Sequence, residues 1–148
     1  MKSFTFKLEK ILNLRKYREE EAKIELGRAV GHLADLEGRI FTLARERARA
    51  AAAQYSPENS AAMIQQYMFY LLRLDNAKEV LLKEAAQAEM KVEEARAQYL
   101  EASRDRKVLD KLKEKRQAEH RKEMFVEETK VLDDISAAVR LSNLQHCD

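Results

Sequence analysis

Proline occurs once in this chain, glycine three times, cysteine once and tryptophan not at all. Each scarcity excludes something. With one proline and three glycines in 148 residues there is too little turn chemistry for a globular fold of many short elements. A single cysteine, Cys147, forbids an intrachain disulfide and reads as an incidental thiol. Charge of one sign is missing too: 28 basic against 26 acidic side chains leave no net field to steer the protein to nucleic acid or lipid. No stretch approaches the ~20 apolar residues of a membrane span. Met1-Lys2-Ser3-Phe4-Thr5-Phe6-Lys7 lacks the apolar core of a signal peptide, so the expected location is the cytoplasm.

Catalytic patterns are equally sparse. There is no glycine-rich phosphate loop and no cysteine pair at metal spacing, so neither cofactor nor metal is expected. His32, His120 and His146 are scattered, and the consecutive His146-Cys147-Asp148 cannot form a triad. A two-helix rod offers no enclosed pocket in which its many carboxylates would shift their pKa values. The expectation is a protein that is not an enzyme.

What is present is helix. Charged residues make up 36% and apolar ones 45%, much of the latter alanine, which is the composition of a coiled coil. In the first arm Leu8, Leu12, Arg15, Glu19, Ala22, Leu26, Ala29, Leu33, Leu36, Ile40 and Leu43 follow the alternating three- and four-residue steps of a coiled-coil seam. The second arm keeps those steps from Tyr67 through Leu71, Leu74, Lys78, Leu81, Ala85, Ala88, Val92, Ala95, Tyr99, Ala102 and Arg106 to Leu109. Pro57 marks the break between them. The pattern predicts a single all-α coiled-coil domain over 1–148, an antiparallel two-helix hairpin with helix 3–55, a turn at 55–60 and helix 57–145. Ser3 and Ser56 would cap the two helices, with Pro57 at the first helical position. The arms would measure about 80 and 135 Å.

A turn at 56–60 predicts partners whose numbers sum to about 115. That puts Leu33 near Leu81, Leu43 near Leu71 or Leu74, and Leu12 near Ala102. Residues 113–148 would then overhang the hairpin. Within that overhang an apolar stripe resumes at Met124, Phe125, Val131, Leu132, Ile135, Ala138 and Val139. Uncovered, it is a candidate docking face, with a frayed tail or dimerisation as the plainer readings. Residues 104–122 hold nine basic and four acidic side chains, while 123–134 carry five acidic and one basic. This suits an acidic protein surface better than nucleic acid, for which the run has too few aromatics.

Phe4-x-Phe6-x-Leu8-x-x-Ile11-Leu12-x-x-Arg15 followed by Glu19-Glu20-Glu21-Ala22, and Leu109-x-x-Leu112-x-Glu114-Lys115 followed by Glu127-Glu128-Thr129-Lys130-Val131-Leu132-Asp133-Asp134-Ile135, resemble the FliJ family. These are stalk proteins of the flagellar type III export apparatus. The resemblance implies a fold similar to the rotary ATPase central stalk and a non-catalytic role. It further implies insertion into the hexameric export ATPase ring, contact with the cytoplasmic domain of the export gate's membrane protein, and escort of export chaperones. Carried onto this chain, the ATPase contact falls on Leu8, Ile11, Arg15, Arg18, Arg116, Phe125, Leu132 and Ile135. The gate contact falls on Arg39, Leu43, Phe69, Tyr70, Leu74, Ala77 and Leu81. The resemblance implies a monomer at the cytoplasmic face of the inner membrane, at the flagellar base, without membrane insertion. Two alternatives stay open: a chaperone holding unfolded export substrates, and the equivalent stalk of a virulence secretion system.

Overall fold

The computed structural model describes residues 3–145. Its only helices among the described residues are α1, Glu9–Gln54, and α2, Ala61–Gln145, packed as an antiparallel hairpin of unequal arms. Alanine, leucine, glutamate, lysine and arginine fill both helices, and these residues lose least on entering one. Gly27, Gly31 and Gly38 sit within α1 on exposed positions. A Cβ added at any of them would meet nothing within 4 Å, so they serve no close approach. His146, Cys147 and Asp148 lie outside the described residues.

The turn is built differently from the expected cap. Ser56-Pro57-Glu58-Asn59 forms a β-turn closed by the Asn59 N–H donating to the Ser56 carbonyl at 3.1 Å. Proline fits its second position because φ is already fixed there. The Asn59 side-chain amide reaches back to the carbonyls of Ala53 (2.7 Å) and Gln54 (3.2 Å), which the end of α1 leaves without helical donors. Ser60, not Ser56, caps α2: its hydroxyl accepts from the Met63 N–H at 3.4 Å, and its carbonyl accepts the first helical bond, from Ile64. Pro57 therefore lies four residues before the helix.

Packing divides the chain into two compact units where a single domain was expected. One, the central unit, is Tyr17–Ser103; the other, the terminal unit, is made of the described residues of Met1–Lys16 and Arg104–Asp148.

In the central unit, the face predicted by the three/four steps is the face that is covered. Leu36, 1% exposed, clusters with buried Ala85 and Ala88, flanked by Leu33, Ile40 and Leu81. Alanines opposite leucines make thin layers. At about 25 cal/mol per Å² each layer contributes modestly. Ser103 is also buried, a polar position off the predicted seam.

The register differs from expectation. Leu36 with Ala85 and Arg47 with Asp75 in the central unit, and Leu12 with Leu109 and Glu9 with Lys113 in the terminal unit, sum to 121 or 122, not 115. Leu43 accordingly shares a groove with Ala77 and Leu81, not with Leu71 or Leu74. The slip is one heptad, which maps a seam onto itself, so periodicity could not see it. Its consequence is at the turn: α1 ends opposite residue 67, and 61–66 stand beyond it with every residue exposed.

In the terminal unit, residues 3–8 are not helical, and Ser3 caps nothing. They lie along α2 instead. Phe6 is buried with Leu12 (0% exposed) and Leu109, while Phe4, Leu8 and Leu112 pack around them. The Phe4 ring tilts against His120, centroids 5.7 Å apart. Segment 3–8 and α2 share a cleft reaching Glu123. The uncovered part of α2 therefore begins after this cleft, about ten residues later than the expected 113.

Candidate docking surfaces

The terminal unit presents the first surface. From Phe125 to Asn143 every residue of α2 is exposed. At 3.6 residues per turn, Phe125, Leu132, Ile135 and Val139 fall on one side of the helix, with Glu128 among them. Phe125 is 70% exposed and Leu132 64%. Isolated surface leucines are ordinary, but a helix stripe this regular is not.

The other expected ATPase-contact residues divide. Ile11 is exposed in the same unit as the stripe. Leu8 is half-buried against the Phe6–Leu12–Leu109 cluster, so it positions the N-terminal segment and presents little surface. Arg15 is half-buried, its guanidinium donating to the Asp105 carbonyl at 2.8 Å. That bond fastens α1 to α2 within the unit. Arg116 is exposed and pairs with Glu119 at 3.3 Å along the cleft holding residues 3–8. Lys113 joins Glu9 at 2.9 Å, and Arg106 pairs with Asp110. Arg18 is exposed but belongs to the central unit, so the structure does not group it with the rest.

The central unit carries the second surface, a shallow open groove where α1 and α2 run side by side. Arg39, Leu43, Ala77 and Leu81, four of the expected gate residues, line it together. Asp35, Thr42 and Val80 are among its other lining residues, with Arg39 paired to Asp35 at 3.2 Å. Val80 flanks the seam, and a search for seam periodicity passes over such positions. Phe69 and Tyr70 are exposed as expected. Leu74 is not: at 7% exposure it is core, so it supports the groove from within and cannot itself be a contact. Phe41, also exposed, lies under the Arg45 guanidinium, 5.9 Å from ring centroid to charge, a contact no sequence pattern announced.

Electrostatics here fasten helices. Arg47 meets Asp75 through two bonds, 2.5 and 3.3 Å. The hydrogen bond to Arg47 holds the Asp75 carboxyl below its ordinary range, and Arg47 is raised in turn. The bond from Tyr17 to Glu21 raises the phenol, since the carboxylate favours the protonated ring oxygen. No group of three or more potential metal ligands occurs among the described residues, and no described helix is long and apolar enough to cross a membrane.

A charged helical hairpin with an uncovered apolar stripe and a shallow interhelical groove defines a class: coiled-coil proteins that work by docking. Comparison with protein families makes it specific. The family model described as flagellar FliJ protein matches residues 4–143, nearly the whole chain, and the chain belongs to the FliJ family. It is thereby a component of the flagellar type III export apparatus, of a family that is non-catalytic. Comparison with curated proteins finds no match, and comparison with solved structures finds none.

Proposed function

We propose that this chain is the stalk of the export ATPase, docking in the hexameric ring through its terminal unit and promoting ring assembly and activity. The observation that carries the reading is the run Phe125–Asn143, which has no packed partner in its unit and bears the stripe of Phe125, Leu132, Ile135 and Val139. Ile11 and Arg116 add exposed contacts from the same unit; Leu8 and Arg15 hold the base on which the stripe stands. The groove of Arg39, Leu43, Ala77, Val80 and Leu81, with Phe69 and Tyr70, is the surface for the cytoplasmic domain of the export gate. The protein acts as a monomer in the cytoplasm, at the membrane face of the flagellar base. Export chaperones are further partners of the apparatus that it would escort.

The test is stimulation of the purified flagellar export ATPase. The full chain is expected to raise ATP hydrolysis, and Leu132→Asp/Ile135→Asp to abolish the effect while helix content stays unchanged. Deleting 124–148 spares the contacts of residues 3–8 and should have the same result. Undiminished stimulation by both variants refutes the placement. Capture of an unfolded export substrate by the stripe, in the absence of ATPase, would favour the chaperone reading instead.

A further inference from the structure

The seams that cover the central unit also permit a second register. In the resting one, layers join residues whose numbers sum to 121: Leu33 with Ala88, Leu36 with Ala85, Ile40 with Leu81. Sliding α2 along α1 by one heptad, about 10 Å, brings the sum to 114 and keeps every seam position on its seam. Leu33 then meets Leu81, Ile40 meets Leu74 and Leu43 meets Leu71. Thick layers replace thin ones near the turn, while Ala29 and Ala85 form a thinner one.

The resting register leaves two seam residues poorly served. Ile64 continues the α2 seam, three residues before Tyr67, yet is exposed with the rest of 61–66 beyond the end of α1. Lys78 is half-buried on the seam, and among the described residues no salt bridge holds it. The slip answers both. Ile64 comes against Ala50, and Glu37 stands to Lys78 as Glu9 stands to Lys113 in the terminal unit, in the same heptad positions. Glu19 likewise stands to Arg96 as Arg47 stands to Asp75. In return the slip gives up the Arg47–Asp75 pair and the hold of Asn59 on the end of α1, and sets Lys78 against Leu36. Losses and gains are thus alike in kind, and exposed ion pairs are individually weak. Residues 55–60 are long enough to join antiparallel helices in either arrangement. A slip the opposite way would uncover Tyr67 and Leu71 as well and forms no such ion pairs.

We propose that the central unit is a two-register switch: α2 slips one heptad along α1, seating Ile64 against Ala50 and Lys78 beside Glu37. Near-equal packing makes the slipped register a minor state, at about 0.1–10% of molecules. The slip changes what the groove presents. Tyr70, Arg73 and Leu74 move in beside Arg39 and Leu43, in place of Ala77, Val80 and Leu81. Any ligand that grips 61–66 or the groove binds one register better than the other, and so shifts the switch.

Cysteine pairs in the full chain carrying Cys147→Ser trap either register by oxidation, because a disulfide needs Cα atoms within about 7 Å. Ala29→Cys/Val92→Cys sums to 121 and reports the resting register. Ala29→Cys/Ala85→Cys sums to 114 and reports the slip. Ala29→Cys/Tyr99→Cys, at 128, is equally far out in the opposite direction. Intrachain closure is followed in dilute protein on non-reducing gels, with circular dichroism verifying the fold. The slipped pair is expected to close at about 0.1–10% of the resting rate, and at least about tenfold faster than the opposite pair. Asp75→Asn should speed the slipped pair and Glu37→Gln slow it, each by about 1.5- to 5-fold, with the resting pair unchanged. Equal closure of the slipped and opposite pairs means that the hairpin opens and does not slip, which overturns the proposal. A slipped pair that never closes, or one indifferent to Glu37→Gln, overturns it too. Faster closure of the slipped pair than of the resting pair would make the sum of 114 the ordinary register and likewise sink the switch.

Discussion

Exchanging the sizes of Leu36 and Ala85 tests the register of the hairpin directly. Leu36 is 1% exposed and clusters with Ala85 and Ala88. A buried leucine cut to alanine costs about 2.7–5.0 kcal/mol, depending on how far the site collapses. A two-helix layer is open at its flanks and closes more readily than a globular core. Leu36→Ala should therefore fall near the lower end, about 2.5–3 kcal/mol. Ala85→Leu alone forces extra carbon into a filled layer and should cost about 1–2 kcal/mol. Together they restore the layer volume with the large residue on the opposite helix. The double variant should then return to within about 1 kcal/mol of the wild type, a coupling of roughly 2.5–5 kcal/mol. Urea denaturation followed by far-ultraviolet circular dichroism measures all four corners, with matching m-values required for the comparison. Leu72→Ala, on an exposed position, should shift stability by less than about 0.5 kcal/mol. If the partners summed to 115, Ala85 would face residue 30 and the two costs would simply add. Additivity in the cycle refutes the register described here.

Two further outcomes follow from the helices themselves. Gly27→Ala and Gly31→Ala should each stabilise the chain by about 1 kcal/mol, because a Cβ there meets open space and alanine loses less entropy in a helix; an unchanged or lowered thermal midpoint counts against that placement. Asp75→Asn should lower the thermal midpoint at pH 7. The depressed folded-state pKa of Asp75 means its contribution is present above the unfolded carboxylate value, about 3.9, and is lost as pH falls through the folded value. The two proteins should therefore converge in acid, and a gap that persists there would show that the Arg47 pair is not its source.

Legibility in the sequence was uneven for physical reasons. Every position on the two predicted seams, from Leu8 to Leu43 and from Tyr67 to Leu109, is buried or half-buried, because a 3.5-residue repeat of apolar side chains admits one covered face per helix. Charged seam residues kept their places as well: Arg15 and Lys78 are half-buried. The stripe from Phe125 to Val139 was legible because its period resumes after a polar interval. Leu74 was misjudged as a contact since a seam leucine and a groove leucine carry the same pattern. Val80 and Phe41 went unnoticed because they lie off the seam, where no period marks them. Residues 3–8 defeated the pattern altogether. Phe4, Phe6 and Leu8 alternate with polar residues and suit an extended segment, but that reading needs a surface to lie on, and Leu112 and His120 are more than a hundred residues away.

Local chemistry thus determined the helices, the single break at Pro57 and the faces each helix would cover. Those depend on propensity and periodicity, which are properties of neighbours in the chain. The tertiary structure decided which heptad meets which, since a seven-residue slip leaves every seam residue on its seam. Pairings such as Leu36 with Ala85 and Arg47 with Asp75, the tie of Asn59 to the end of α1 and the docking of Phe6 beside Leu109 select one register among these near-equal alternatives. That choice leaves 61–66 exposed and sets where the apolar stripe becomes uncovered.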